Sequence, residues 1–424
     1  MQTKHLCDGV DLRILKDTKF KTNTLSLFFN IPLKRETVTK AALLPSVLKR
    51  GTEKYPKFKD MARHLADMYS ASCAAGVRMK GDGEVLYFTI EYIADAYIGE
   101  SLSAMAADFL REFVFSPLLE DGGFVREYVE SEKTNLKNAI EGLINDKKEY
   151  ADVKCREAMF GKEGYGMFEA GYAEDLDDIT PHNLYEFYAD ILKNAKVDIF
   201  AGGTVSDDIT DIIGKTLLPM IKPRSAGYIK TEPARSVRSE VQYITEEINV
   251  VQSKLSMGIC CGIKPDSDDY YALMLGTCIF GGSPFSKLFN NVREKLSLAY
   301  YAASRTDRLK SVMIISSGIE TENYRAAYDE IMVQLKKMQN GEITEAELDS
   351  AKKYLANGIN SMKDSMRTME DYYLSQVIMG TEQSPDELLR RLSEVSIGEI
   401  KKVMSGLHLD TVYFLKGNSN GGEE

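Results

Sequence analysis

Hydrophobic and polar residues alternate with a period of two in a run near the start of the chain. Leu25, Leu27, Phe29, Ile31 and Leu33 point to one side, and the residues between them, several of them polar, point to the other. This alternation is typical of a strand with one buried face, so the run predicts a half-buried strand.

Helical periodicity and turn residues place further elements around this strand. The Lys-Gly-Asp-Gly turn at 80–83 predicts a hairpin between strands 71–79 and 84–92. A helix over 37–50 contains Pro45, where a kink or break is expected because an internal proline typically costs about 3 kcal/mol. The remaining predictions are strands at 10–15 and 197–203 and helices at 57–69, 96–115, 122–146 and 180–192.

The second half of the chain repeats this order of elements. The alternating run from Leu255 to Ile263 matches the run from Leu25 to Leu33 at a constant offset of 230 residues, since 255 − 25 = 230. Proline, glycine and charged residues interrupt the periodicity between the halves. The pattern predicts an α+β protein of two homologous domains, 1–222 and 245–424, joined by a linker at 223–244, each a mostly antiparallel sheet packed with helices.

Charge and composition narrow the classes of function. The net charge is −11, and no basic stripe is present, which argues against nucleic acid as a partner. No apolar run reaches the roughly 18 residues of a membrane span, and the N-terminus lacks the apolar core of a secretory signal. We therefore expect a cytoplasmic protein whose six cysteines are reduced core residues.

The richest stretch for chemistry is GTCIFGGSPFSKLFNNVREKLSLAYYAASR at 276–305. Ser283 and Pro284 have the residue types of a helix N-cap and first helical position, so a helix is predicted to start there. Arg293 follows the apolar stripe of that helix. Tyr300 lies in the strand-like run that comes next, so the two polar groups are candidates for one site.

A family resemblance is carried by the duplicated plan, by GTEKYP at 51–56 and above all by GGSPFSKLFNNVREKLSLAY at 281–300. Over nearly its whole length the chain resembles the pitrilysin/insulinase-type zinc peptidases and the mitochondrial processing peptidases, in particular their small bacterial two-domain members. The resemblance implies a peptidase-like fold for both domains.

The zinc motif that the resemblance implies is degenerate. In that family, His-x-x-Glu-His binds zinc and activates water, and its positions fall on Ala42, Pro45 and Ser46. Alanine cannot coordinate zinc, serine is a poor ligand, and proline removes the general base. We therefore expect no cofactor in this chain and zinc in a partner.

Two other sets of residues were weighed as ligands. The family's third zinc ligand is a glutamate on the helix at 122–146, where several glutamates are available but have no histidines beside them. His64 is an isolated histidine on a helix and is interpreted as structural. The glutamates are Glu127, Glu130, Glu132 and Glu141.

The other half of the family's site is retained, as the resemblance implies. An arginine and a tyrosine that bind the substrate backbone and stabilise the oxyanion fall on Arg293 and Tyr300. Ser297 replaces the glycine that usually precedes Leu-Ala-Tyr, a departure that could alter the turn leading to Tyr300.

These observations predict a non-catalytic subunit of a heterodimeric peptidase. Its partner would be a zinc-bearing paralogue, its substrates extended peptides, and in isolation it could form a homodimer. Two alternatives stay open: a structural or peptide-binding scaffold subunit with no catalytic contribution, and an independent hydrolase with unrecognised residues.

Overall fold

A computed structural model describes residues 1–161, 164–234 and 238–418. The chain divides into two compact units, each assembled from three separate segments. Unit 1 contains Met1–Glu141, Phe168–Lys230 and Ser365–Leu374, and unit 2 contains Gly142–Met167, Thr231–Asp364 and Ser375–Glu424. Each unit therefore includes one short segment from the opposite half of the sequence.

The strands are β1 (Gln2–Cys7), β2 (Val10–Lys16), β3 (Thr22–Pro32), β4 (Ser72–Lys80), β5 (Gly83–Ile93), β6 (Leu119–Glu120), β7 (Gly123–Phe124), β8 (Lys196–Gly203), β9 (Gln242–Ile248), β10 (Ser253–Cys260), β11 (Ala299–Asp307), β12 (Val312–Ile319) and β13 (His408–Gly417). The helices are α1 (Val38–Leu48), α2 (Phe58–Asp67), α3 (Leu102–Phe115), α4 (Arg126–Gly142), α5 (Lys147–Phe160), α6 (Pro181–Asn194), α7 (Ile209–Thr216), α8 (Asp269–Thr277), α9 (Tyr324–Asn340), α10 (Glu345–Met362), α11 (Met366–Ile378), α12 (Pro385–Glu394) and α13 (Ile397–Ser405).

The two main sheets have the same topology. In unit 1 the strand order is β1-β2-β8-β3-β5-β4, and only the β2/β8 pair is parallel. In unit 2 the order is β11-β12-β10-β13-β9, and only the β9/β13 pair is parallel. The order β4-β5-β3-β8-β2 in unit 1 corresponds strand by strand to β11-β12-β10-β13-β9 in unit 2, and β1 is an additional edge strand of unit 1. The predicted α+β fold of two homologous, mainly antiparallel domains is confirmed.

Several local predictions agree with the structure. The β4/β5 hairpin is closed by a two-residue turn, since Lys80 pairs with Gly83. The predicted helix at 180–192 corresponds to α6, whose N-cap Thr180 accepts a hydrogen bond from the Asn183 N–H while the Asn183 side chain accepts one from the Thr180 N–H. The sequence pattern missed β1, and α3 and α4 begin later than predicted, at Leu102 and Arg126.

The short segments from the opposite half of the sequence lie against glycines in the two sheets. A Cβ atom on Gly202 of β8 would lie 2.4 Å from the Met366 sulfur, in the segment that α11 contributes to unit 1. A Cβ atom on Gly258 of β10 would lie 2.1 Å from the Met159 sulfur of α5 in unit 2. Only glycine allows the methionine to approach each sheet this closely.

A buried carboxylate lies beside each of these contacts. In unit 1, Glu370 of α11 accepts hydrogen bonds from Thr24 Oγ1 at 2.5 Å and Ser26 Oγ at 2.7 Å. In unit 2, Asp152 of α5 accepts from Ser256 Oγ and Ser316 Oγ, both at 2.7 Å. Both carboxylates thus accept hydrogen bonds from hydroxyl groups on one face of their sheet.

This arrangement overturns one prediction. The strand at 25–33 was expected to be half buried, but β3 is buried on both faces from Asn23 to Ile31. Its polar residues look solvent-facing in the sequence, whereas the structure covers Ser26 with the Glu370 segment. The contact joins residues 344 positions apart in the sequence, so local alternation cannot reveal it.

The expected interruption at Pro45 does not divide its helix. α1 is continuous from Val38 to Leu48 with Pro45 inside it. The backbone N–H of Lys49 donates to the Pro45 carbonyl, and the buried side chains of Leu44 and Leu48 hold the helix against the core of unit 1. Burial outweighs the backbone bond that proline removes.

Within the described ranges, no helix combines the length and apolar character needed to cross a membrane. Cys155, Cys260, Cys261 and Cys278 are buried, and Cys7 and Cys73 are partly buried; all six carry free thiols.

Candidate functional site

The helix that carries Arg293 starts later than predicted. The sequence suggested Ser283 as its N-cap, but the helical segment begins at Lys287, and Ser286 Oγ accepts a hydrogen bond from the Phe289 N–H. Ser283 Oγ instead donates to the Cys278 carbonyl. The predicted cap is therefore wrong, because the side chain of Ser283 closes the preceding turn and the serine three residues later takes the capping role.

The glycine pair before this helix serves backbone packing. A Cβ atom on Gly281 would lie 2.7 Å from the backbone nitrogen of Ser304 in β11. Glycine at this position lets the helix approach the edge strand β11 of the unit 2 sheet.

Arg293 lies on a π-type helical turn, Phe289–Lys295. Such turns insert one residue per turn and often occur at functional sites. Val292 is fully buried and anchors the turn, whereas the Arg293 side chain is 45% exposed. Its guanidinium lies 4.8 Å from the Phe289 ring centroid, and its Nε is 3.5 Å from Glu294 Oε1.

Ser297 ends this turn in the left-handed region, with φ of +50°. The Leu298 N–H donates to the Val292 carbonyl at 2.9 Å, which closes the helix end. Glycine is the usual residue at such a position because a Cβ atom is unfavourable there. The serine noted in the sequence therefore occupies a site whose backbone conformation favours glycine, and the turn forms nonetheless.

Tyr300 lies at an irregularity in the edge strand β11. Ala299 pairs with Ile319 and Tyr301 pairs with Gly318, so Tyr300 is an extra residue in a β-bulge. Bulges redirect side chains and are common beside active sites. The Tyr300 side chain is 57% exposed, and its hydroxyl donates to Glu320 Oε1 at the end of β12. This hydrogen bond to a carboxylate raises the pKa of the Tyr300 phenol.

Arg293 and Tyr300 line the same open cavity of about 420 Å³ in unit 2. The structure thus brings together the two residues that the sequence singled out. The remaining lining residues are Glu294, Ser297, Leu298, Ala299, Glu320 and Asn323. Glu320 and Asn323 were missed by sequence reasoning, because they follow the next strand and no motif links them to Tyr300.

The positions at which the family resemblance predicts zinc ligands, Ala42, Pro45 and Ser46, lie on α1 in unit 1. Pro45 is buried, and Ala42 and Ser46 are partly buried. In the part of the chain that the structure describes, no three His, Cys, Asp or Glu side chains come together to form a possible metal site. The residues at these positions do not fit a zinc ion, so no chemical step is assigned to zinc here.

Three of the four candidate glutamates on α4 are engaged with basic side chains. Glu132 Oε1 is 3.2 Å from Arg50 Nε, Glu130 Oε1 is 3.3 Å from Lys133 Nζ, and Glu141 Oε1 is 3.9 Å from Lys137 Nζ. These contacts are typical of a charged helix face.

His64 packs its ring against aromatic side chains. The ring is stacked on Tyr55 at 4.9 Å and on Phe109 at 6.0 Å between centroids. Burial lowers the pKa of His64, as expected for a packed imidazole.

Comparison with known proteins shows which family the chain belongs to. A family model described as the peptidase M16 inactive domain matches residues 178–355. The chain is 34% identical over 98% of its length, and 97% of the relative's, to a probable inactive metalloprotease, YmfF, of Bacillus subtilis (strain 168). The chain belongs to the peptidase M16 family. The family resemblance inferred from the sequence is confirmed.

Another similar protein and two solved structures agree with this family. A second B. subtilis protein, the uncharacterized zinc protease YmxG, is 22% identical over 70% of each chain. A conserved protein from Enterococcus faecalis V583 superposes with a TM-score of 0.92 at 31% identity, covering 99% of both chains. A peptidase M16 inactive domain from Pseudomonas fluorescens has the same fold, with a TM-score of 0.80 at 19% identity over 98% of both chains. The chain is thus an inactive-type M16 peptidase homologue.

Proposed function

We propose that this chain is the non-catalytic subunit of a two-chain M16 peptidase. In this proposal Arg293 and Tyr300 bind the peptide substrate, and a zinc-bearing paralogue supplies the metal and the general base. The observation that carries the proposal is the contrast between the two units. Arg293 and Tyr300 share a cavity, whereas Ala42, Pro45 and Ser46 offer no zinc ligands.

The cavity suits an extended peptide backbone. The Arg293 guanidinium has five N–H donors and no acceptor, which suits the carbonyl of a scissile bond as negative charge develops on its oxygen. β11 is an edge strand of its sheet, so an extended peptide can add to it by backbone hydrogen bonds.

The relatives in one organism support a two-chain arrangement. B. subtilis (strain 168) has both a relative described as probably inactive and one described as a zinc protease. A zinc-type protein in the source organism of the present chain is the partner that the proposal requires.

A mixing experiment tests the proposal. The full chain is added to a zinc-bearing M16 paralogue from the same organism, and cleavage of a fluorogenic unstructured peptide is measured as kcat/KM. We expect cleavage to require both chains and Arg293→Ala to lower kcat/KM by about 100-fold, the usual effect of losing one oxyanion donor. Arg325→Ala is the matched control, because Arg325 is exposed on α9, pairs with Asp329 at 3.0 Å and lies over the Tyr328 ring, outside the cavity.

The scaffold alternative makes the opposite prediction. Arg293 pairs with Glu294 in an ordinary surface contact. In a scaffold subunit, Arg293 would have no role beyond this contact. If peptide cleavage by the paralogue requires this chain, but the Arg293→Ala variant supports cleavage as well as the wild-type chain does, the chain is a scaffold. If the paralogue cleaves equally well alone, the two-chain proposal fails altogether.

A further inference from the structure

The Tyr300 hydroxyl has a single proton, and that proton is directed at Glu320. A phenol can donate only one hydrogen bond but can accept through its lone pairs. A hydrogen bond to an ionised carboxylate is about twice as strong as one between neutral groups. Tyr300 therefore presents an acceptor to the cavity, and donating to a substrate oxyanion would require breaking its bond to Glu320.

The strand pairing places Glu320 beside the tyrosine. Glu320 directly follows Ile319, the residue paired with Ala299, so the bulge at Tyr300 and the end of β12 lie side by side. Among the described residues, Glu320 forms no ion pair; Arg293 pairs with Glu294, and Arg325 pairs with Asp329. In the described part of the chain, therefore, no ion pair competes with Tyr300 for the Glu320 carboxylate.

Arg293 and Tyr300 consequently contribute a donor group and an acceptor group to the cavity, beside the polar side chains of Glu294, Ser297, Glu320 and Asn323. Arg293 supplies N–H donors, and the Tyr300 oxygen supplies lone pairs. An extended peptide offers the complementary pair, a backbone C=O and a backbone N–H.

We infer that Glu320 is a positioning residue that makes Tyr300 an acceptor for a substrate backbone N–H. Arg293 is then the donor to the substrate carbonyl. This assignment rests on the proposed function, since it concerns how the same cavity binds its peptide. The two residues then have different roles. Tyr300 contributes to substrate binding in the ground state, whereas Arg293 contributes both to substrate binding and to stabilisation of the transition state.

Peptides that lack one backbone N–H test the inference. The full chain is mixed with its zinc-bearing paralogue after zinc has been removed with a chelator, so that peptide is bound and not cut. The probes are a fluorescein-labelled, unstructured 12-residue peptide and its single N-methyl analogues, and Kd is measured by fluorescence anisotropy.

With wild type, we expect one N-methyl position to weaken binding by about tenfold, the effect of one lost hydrogen bond. Glu320→Gln should keep that discrimination, because the amide oxygen still accepts from the phenol. Glu320→Leu and Tyr300→Phe should lose it. Glu322→Leu is the matched control, since Glu322 is an exposed neighbour that does not line the cavity.

The outcomes separate this inference from the proposed function. If Glu320→Leu still discriminates tenfold while Arg293→Ala weakens binding, the positioning role of Glu320 is overturned and the proposed function stands. If Arg293→Ala binds the peptides as tightly as wild type, the proposed function fails and the inference fails with it. Circular dichroism of Glu320→Leu checks that a loss of discrimination does not come from unfolding.

Discussion

Units 1 and 2 have similar buried contacts on their sheets and differ in the residues at their candidate functional positions. Both have a sheet of the same strand order, a glycine that accommodates a methionine, and a buried carboxylate bound by hydroxyls. Unit 2 also carries Arg293 and Tyr300 in one cavity, whereas unit 1 has Ala42, Pro45 and Ser46 at the positions where the family resemblance predicts zinc ligands. The comparison teaches that packing contacts can be present in both copies of a repeat while a cavity lined by an arginine and a tyrosine is described in only one of them.

The two buried carboxylates are themselves not equivalent. Asp152 Oδ2 lies 3.5 Å from Arg305 Nη2 in addition to its hydroxyl partners. The two arginines whose charges act on Glu370 form their ion pairs with other carboxylates: Arg78 pairs with Asp371 at 2.7 Å, and Arg367 pairs with Glu91 at 3.3 Å. Burial raises the pKa of Glu370 to about 7, against the opposing influence of its hydroxyl partners and of Arg367 and Arg78.

The largest expected effect follows from that raised pKa. A carboxyl group with a pKa of 4.5 when unfolded and about 7 when folded stays protonated longer in the folded state. The free energy of unfolding therefore falls as pH rises from about 4.5 to 7, by on the order of 3 kcal/mol. Urea denaturation of wild type and Glu370→Gln should show wild type losing this amount relative to the variant. Parallel pH curves for the two proteins would contradict the assignment, and Glu342→Gln, at an exposed position, is the control.

The second prediction concerns the matching carboxylate in unit 2. Asp152→Ala removes the acceptor of two buried hydroxyls and should lower the free energy of unfolding by about 2 kcal/mol at pH 7. Asp152→Asn keeps an acceptor of nearly the same shape and should lose less. Arg305→Ala should lose little, because Arg305 is 61% exposed. Equal losses for the alanine and asparagine variants in denaturant titrations would show that the charge, and not the hydrogen bonds, stabilises this contact.

A third prediction tests the glycine contacts in both units together. Gly258→Ala and Gly202→Ala should each lower the free energy of unfolding by about 1 to 2 kcal/mol, because the new Cβ overlaps Met159 or Met366. Adding Met159→Ala to Gly258→Ala should recover part of the loss, as a double-mutant cycle would measure. Gly214→Ala, where a Cβ atom meets nothing within 4 Å, should not destabilise the protein. An effect in only one of the two units would break the proposed equivalence.

The smallest effect is expected beside the cavity of unit 2. Ser297→Gly removes a Cβ atom from a residue with φ of +50° and should raise the melting temperature, corresponding to a gain of about 0.5 to 1 kcal/mol. Ser350→Gly, in the interior of α10, should destabilise by a similar amount. A loss of stability in Ser297→Gly would mean that the serine side chain contributes a contact that outweighs its backbone conformation.

The sequence by itself determined the fold class, the repeat and the two residues of the candidate site. Period-two runs at a constant offset of 230 residues specify two equivalent central strands, because alternation and turn chemistry are local properties. The contiguous motif around Arg293 and Tyr300 likewise lies within one helix–strand connection, so its two residues could be predicted to meet. That Ala42, Pro45 and Ser46 are not zinc-ligating residue types is visible in the sequence alone.

Only the tertiary structure decided what covers the polar faces of the sheets and what the Tyr300 hydroxyl binds. Glu370 contacts Ser26, a residue 344 positions away in the sequence. Its hydrogen bonds compensate for burying the polar side chains of β3, a strand that the sequence pattern predicts to be half exposed. Glu320 comes to Tyr300 through a bulge in strand pairing, which no periodicity in either strand encodes. Both contacts depend on long-range register, and register is fixed by the packing of the whole sheet.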